Sequence, residues 1–151
     1  MKLAEALSIR KDLQTRIEQL KVRLNNNLKV QEGDEPVEDP ESILKEMDKA
    51  FSQLQTLIYR INLTNLSVGA DGKNLTQLIA ERDVLSQRTK ILREAFNAAS
   101  STSDRYSRTE IKTVATLDAK KLGKEADQLS EKLRKLDMQI QAINFSVDLK
   151  E

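Results

Sequence analysis

The chain contains no cysteine and no histidine. Without thiols there is no disulfide, no thiolate nucleophile and no zinc site of the Cys/His kind. Without imidazole there is no His-based acid–base chemistry and no Glu-x-x-His di-iron bundle. Carboxylates, Lys, Tyr, Ser and Thr remain, and no arrangement of them marks a catalytic residue. Aromatic residues make up only 3%, so Leu, Ile and Ala must carry the packing. Two prolines and four glycines in 151 residues leave few interruptions for long helices. Neither sign of charge dominates, with 25 basic against 24 acidic residues, so the basic excess of a nucleic-acid binder is missing. No apolar run approaches the roughly 18 residues of a membrane-spanning helix. The opening stretch "MKLAEALSIRKD" is interrupted by Glu5, Arg10, Lys11 and Asp12 and does not read as a secretory signal. The expectation is a cytoplasmic, soluble chain, in which the N-x-[ST] tripeptides at Asn62, Asn65, Asn74 and Asn144 arise by chance.

What is present is an alternation of helical patterns and breaks, 38% hydrophobic and 32% charged. The length suits one domain, 1–151, with a core of its own. Residues 2–26 carry Leu3, Ala6, Arg10, Leu13, Ile17, Leu20 and Leu24 at steps of three and four, which predicts a helix ended by Asn25, Asn26 and Asn27. Asp39-Pro40-Glu41 is a start signal: a capping carboxylate, then proline at the first helical position, then acid in the first turn. The helix it opens, 41–67, lines one face with Leu44, Met47, Phe51, Leu54, Ile58 and Ile61, a face widened by Ile43, Ala50 and Leu57. "VGADGKN" turns the chain into a third helix, 75–99, whose stripe again includes an arginine, Arg82. Asp118 caps a fourth helix, 119–146. The pattern predicts an all-α fold, four long helices in an up-down-up-down antiparallel bundle. Short strands are expected in the two long connections, 28–40 and 100–117, where Leu28, Val30 and "EIKTVATL" are β-favouring.

Shifting the first helix by 72 residues matches it to the third, and shifting the second by 82 matches it to the fourth, where "INLT" meets "INFS". Periodicity explains the apolar matches. The coincidence of Arg10 with Arg82 points to a duplicated hairpin with halves 1–68 and 73–147. In such a hairpin Arg10 falls near Asn62 and Asn65, and Arg82 near Asn144. These five residues would form a polar layer that fixes register or assembly, since a buried guanidinium must find acceptors. The alternatives are a small-ligand or anion site in that layer, or arginines that reach out to solvent.

The acid-rich connection holds Glu32, Asp34, Glu35, Glu38 and Asp39, without the spacing of a calcium loop. The second connection holds Arg105, Arg108 and Lys112. Salt bridges between Glu35 or Glu38 and Arg105 or Arg108 are expected, with Tyr106 packed nearby. The lysines of the fourth helix are mixed with Glu125, Asp127, Glu131 and Asp137, which argues against a membrane face.

Three stretches, "VQEGDEPVEDP", "LIYRINLTN" and "RYSRTEIKTVATLD", together with "RKDLQTRIEQLKVRL" and "ERDVLSQRTKILREAF", make the chain resemble the septicolysin-like family of small bacterial proteins. The resemblance implies a helical protein that assembles as a homo-oligomer and a label of pore-forming toxin, and it supplies no catalytic residues. The family takes its name from an oxygen-labile haemolysin, and a cysteine that would account for such lability is absent here. The expectation is therefore a non-enzymatic structural or interaction protein, partnered by copies of itself, with no cofactor, metal or nucleic acid. Pore formation is the alternative from another class.

Overall fold

Helix starts and stops follow from local chemistry. Asp39 accepts backbone N–H bonds from Glu41 (3.3 Å) and Ser42 (3.2 Å), with Pro40 behind it. Asp118 accepts from Lys120 (3.0 Å) and Lys121 (3.4 Å). Each carboxylate satisfies N–H groups that the first turn cannot pair internally. The computed structural model describes residues 1–101 and 111–151. Its elements are α1 (Leu3–Asn26), α2 (Pro40–Ser67), β1 (Gly69–Ala70), β2 (Lys73–Asn74), α3 (Leu75–Ser100) and α4 (Ala119–Ser146). The all-α expectation holds, and the four helices fall where the periodicity put them.

The expected strands do not. Among the described residues, neither 28–39 nor 111–117 forms a strand. The two strands pair antiparallel across the short turn between α2 and α3, Gly69 opposite Asn74 and Ala70 opposite Lys73. The reason is the Asp71-Gly72 pair at the tip. Both residues take positive φ, 54° and 76°. That is the backbone twist a two-residue hairpin requires, and Asp-Gly tolerates it best. Among the described residues of the long connections, the turn closed by the Asp34 N–H on the Gln31 carbonyl (2.9 Å) has a positive φ at Gly33 alone, not at two successive residues.

The chain divides into two compact units, Met1–Leu75 with Gln141–Glu151, and Thr76–Ile140. In the first, α1 and α2 run antiparallel, with Arg16 on Glu46 (2.6 Å) and Arg23 on Glu38. Its buried residues include Leu3, Ala6, Leu13, Ile17 and Leu20 of α1 and Ile43, Ala50, Leu57, Ile61 and Thr64 of α2. Asn27 closes α1: its Nδ2 donates to the Arg23 carbonyl (2.8 Å) and its Oδ1 accepts from the Glu38 N–H (2.9 Å). In the second unit, α3 and α4 also run antiparallel. Arg93 reaches Asp127 (2.9 Å), Arg82 approaches Asp137 (3.8 Å), and Gly123 lies under the Phe96 ring. A Cβ at Gly123 would sit 2.9 Å from Phe96 Cε2. That glycine costs helix propensity, about 1 kcal/mol against Ala, and allows the ring to approach the backbone.

Candidate interaction surface

The apolar arc of α2 is wider than one packing face, and the structure divides it. Ile43, Ala50, Leu57 and Ile61 are buried. Leu44, Phe51 and Ile58 remain 46%, 48% and 37% exposed. Met47 and Leu54 lie half-buried between the two rows. The sequence expectation is corrected in part: of the row read as the main core face, Ile61 is buried but Leu44, Phe51 and Ile58 are uncovered, while Ile43, Ala50 and Leu57, read as its widening, are all in the core. Both rows are equally apolar, so periodicity alone could not rank them. Positions 44, 47, 51, 54, 58 and 61 advance by alternating threes and fours, the spacing of a coiled-coil seam.

The sequence carries a signal for this region in its charge distribution. Between Lys49 and Asp71 the only charged residue is Arg60, in a chain that is 32% charged. Depletion of charge marks the centre of protein interfaces. On the opposite side of the buried row, α1 and α2 leave an open groove of about 510 Å³. Met1, Ile9, Leu13 and Leu57 form its apolar wall; Ser52, Gln53, Thr56 and Arg60 form its polar rim.

One end of the first unit is a hydrogen-bonded latch. The Leu3 N–H donates to the Val147 carbonyl and the Leu149 N–H to the Met1 carbonyl, both at 2.9 Å. The first N–H of α1, which its own helix cannot satisfy, is thus paired by the segment after α4. Lys2 Nζ meets Asp148 (3.0 Å) and holds that carboxyl below its ordinary range, chiefly by the hydrogen bond and then by its charge. Thr64 is fully buried; its Oγ1 donates to the Arg60 carbonyl (2.7 Å) and accepts the Lys150 N–H (2.9 Å). Arg60 Nε donates to the Lys150 carbonyl (2.8 Å).

This latch explains why α2 turns polar in "INLTN". Thr64, not the asparagines, is the buried polar group there. Its partner lies 86 residues away and is a backbone N–H, so no side-chain pattern announced it. Of the residues expected in a polar layer, Asn62 is exposed, Arg10 and Asn65 are half-buried and Asn144 is buried. Among the described residues no hydrogen bond joins Arg10 to Asn62, Asn65 or Asn144. Arg82, in the second unit, donates from Nε (3.0 Å) and Nη2 (2.8 Å) to its chain neighbour Asp83. Of the residues expected to bridge the connections, Glu35 is exposed and Glu38 accepts from Arg23 Nε (3.2 and 3.1 Å) and Nη2. Arg105 and Arg108 lie outside the described residues, as does Tyr106. The Arg23 hydrogen bond holds the Glu38 carboxyl low, and the Arg16 hydrogen bond does the same for Glu46.

Among the described residues no cluster of three or more His, Cys, Asp or Glu is placed to hold a metal ion. Among the described residues, no helix is long and apolar enough to cross a membrane.

The structure is that of an all-α protein built from helical hairpins, with an uncovered apolar row and a separate groove on its first hairpin. The chain belongs to a family of unknown function, DUF6847, whose profile matches residues 10–149. It is similar to a functionally unknown conserved protein from Corynebacterium diphtheriae, solved by crystallography: identity is 38%, the TM-score is 0.92, and 99% of each chain is covered. No curated protein matches the chain.

Proposed function

We propose that this protein is a non-enzymatic interaction protein that self-associates through the Leu44–Phe51–Ile58 row of α2. The observation that carries the reading is three large apolar side chains, each more than a third exposed, at seven-residue spacing, two of them (Phe51 and Ile58) on the stretch between Lys49 and Asp71 whose one charge is Arg60. A second copy is the occupant that fits best. In a twofold dimer the same row faces itself, and an uncharged row meets its own image without like-charge repulsion. From Leu44 to Ile58 the exposed row runs about 21 Å at 1.5 Å per residue, the length of a short coiled-coil contact. The abundant exposed ion pairs elsewhere add little to such association.

Sedimentation velocity across a range of protein concentrations tests this. A weight-average mass rising from one chain towards two supports it; a single-chain mass at every concentration sinks it. The septicolysin-like resemblance supplies a second reading, pore formation. Release of dye from liposomes at micromolar protein would replace the first reading by that one, and intact liposomes would remove it.

A further inference from the structure

The groove between α1 and α2 carries chemistry that the self-association row does not use. Its volume, about 510 Å³, falls in the range of roughly 300–1,000 Å³ typical of small-molecule sites. Along α2 it runs from Ser52 to Arg60, about 12 Å at 1.5 Å per residue. One wall is hydrocarbon, from Ile9, Leu13 and Leu57. Its lining includes one charged side chain, Arg60, and no carboxylate. Arg60 is also the one charge between Lys49 and Asp71. Its Nε is fixed on the Lys150 carbonyl, 2.8 Å away. Among the described residues its two terminal amino groups have no hydrogen-bond or ion-pair partner. A planar guanidinium anchored at Nε presents those two groups as donors in a fixed direction, a geometry suited to a carboxylate. Half-buried beside apolar surface, the cation is poorly solvated and gains from an anion.

We infer that this groove binds a small amphiphilic carboxylate, its medium-length apolar body along Ile9, Leu13 and Leu57 and its carboxylate on Arg60. The rim of Ser52, Gln53 and Thr56 accommodates a few polar substituents on that body. Thr56 Oγ1 already donates to the Ser52 carbonyl (3.1 Å), so it offers lone pairs rather than a proton. The site uses residues distinct from Leu44, Phe51 and Ile58, so it stands or falls apart from self-association.

Decanoate and its neutral counterpart decanol, both below their aggregation limits, are the probes, with isothermal titration calorimetry as the assay. Decanoate is expected to bind saturably at one site per chain, at least tenfold tighter than decanol. Arg60→Met is expected to weaken decanoate at least tenfold and abolish the preference, while leaving decanol binding unchanged. Thr56→Trp, a change at an exposed position that fills the groove, is expected to weaken both probes. Phe51→Glu is expected to bind decanoate like the parent. Equal affinity for the two probes, absence of saturable decanoate binding, or full binding by Thr56→Trp would each overturn the inference. If Arg60→Met proves unfolded by circular dichroism, the probe comparison on the parent chain and Thr56→Trp decide it.

Discussion

Replacing Phe51 by Glu should separate the fold of the protomer from its association. Phe51 is 48% exposed, so about half of the roughly 3 kcal/mol that full burial of a phenylalanine contributes is still unrealised in the protomer. A second copy covering that half would gain about 1.5 kcal/mol per chain, or about 3 kcal/mol per symmetric dimer. At 1.4 kcal/mol per factor of ten, Phe51→Glu weakens dimerisation by about 100-fold. Two carboxylates brought to the same seam add repulsion and desolvation in the same direction. The half of the ring already buried is lost from the protomer as well, about 1.5 kcal/mol. For a chain of this size that lowers Tm by about 3–6 °C without unfolding it at room temperature. The control is Val22→Glu on α1, at a position 58% exposed and off the seam. Sedimentation equilibrium on both variants gives the dissociation constants, and circular dichroism confirms the helices. If Phe51→Glu associates within about threefold of the parent, the assignment of the row is wrong. If Val22→Glu weakens association as much as Phe51→Glu, charge alone and not the seam is responsible.

Thr64→Val keeps the shape of the latch and removes its acceptor, leaving the Lys150 N–H unpaired; we expect a loss of about 1–3 kcal/mol in urea unfolding and faster amide exchange at Lys150. Thr64→Ser, which retains the oxygen, should lose less. Gly123→Ala should not deliver the roughly 1 kcal/mol that helix propensity promises, because the added Cβ meets the Phe96 ring. In a Phe96→Ala background the same change should deliver it, and equal effects in the two backgrounds would dismiss the contact. Glu38, Glu46, Glu131 and Asp148 all have carboxyls held low, each first by a hydrogen bond from Arg23, Arg16, Lys135 and Lys2 respectively. A depressed carboxyl contributes stability that is full above its unfolded pKa, about 4, and is lost as pH falls through the folded value. Thermal melts should therefore be flat from about pH 5.5 to 8, where no histidine titrates, and decline below about pH 4. A transition near pH 6.5 would contradict this.

The helix boundaries were legible because their causes are local. Asp39, Asp118 and the asparagine run at 25–27 act within a few residues of where they sit. The strands were misplaced because β-propensity was read without the turn that brings partners together, and Asp71-Gly72 supplied that turn elsewhere. The core face of α2 was centred one row away from where it lies, with Leu44, Phe51 and Ile58 outside it, because two apolar rows lie side by side and only the neighbouring helix chooses between them. Thr64 was missed for the opposite reason: its bond joins residues far apart in the chain and uses a backbone group that every residue possesses. The matching arginines proved a weak guide, since Arg82 takes the carboxylate next to it in sequence.

The absence of native cysteine allows a direct test of the central claim that the α2 row faces another copy. Single-cysteine variants Gln55→Cys, beside the seam, and Val22→Cys, away from it, can be treated with a short bismaleimide at micromolar protein. A cross-linked dimer is expected for Gln55→Cys, suppressed when Phe51→Glu is added, and little for Val22→Cys. Equal cross-linking at the two positions, or none at Gln55→Cys under conditions where sedimentation shows dimer, would contradict it.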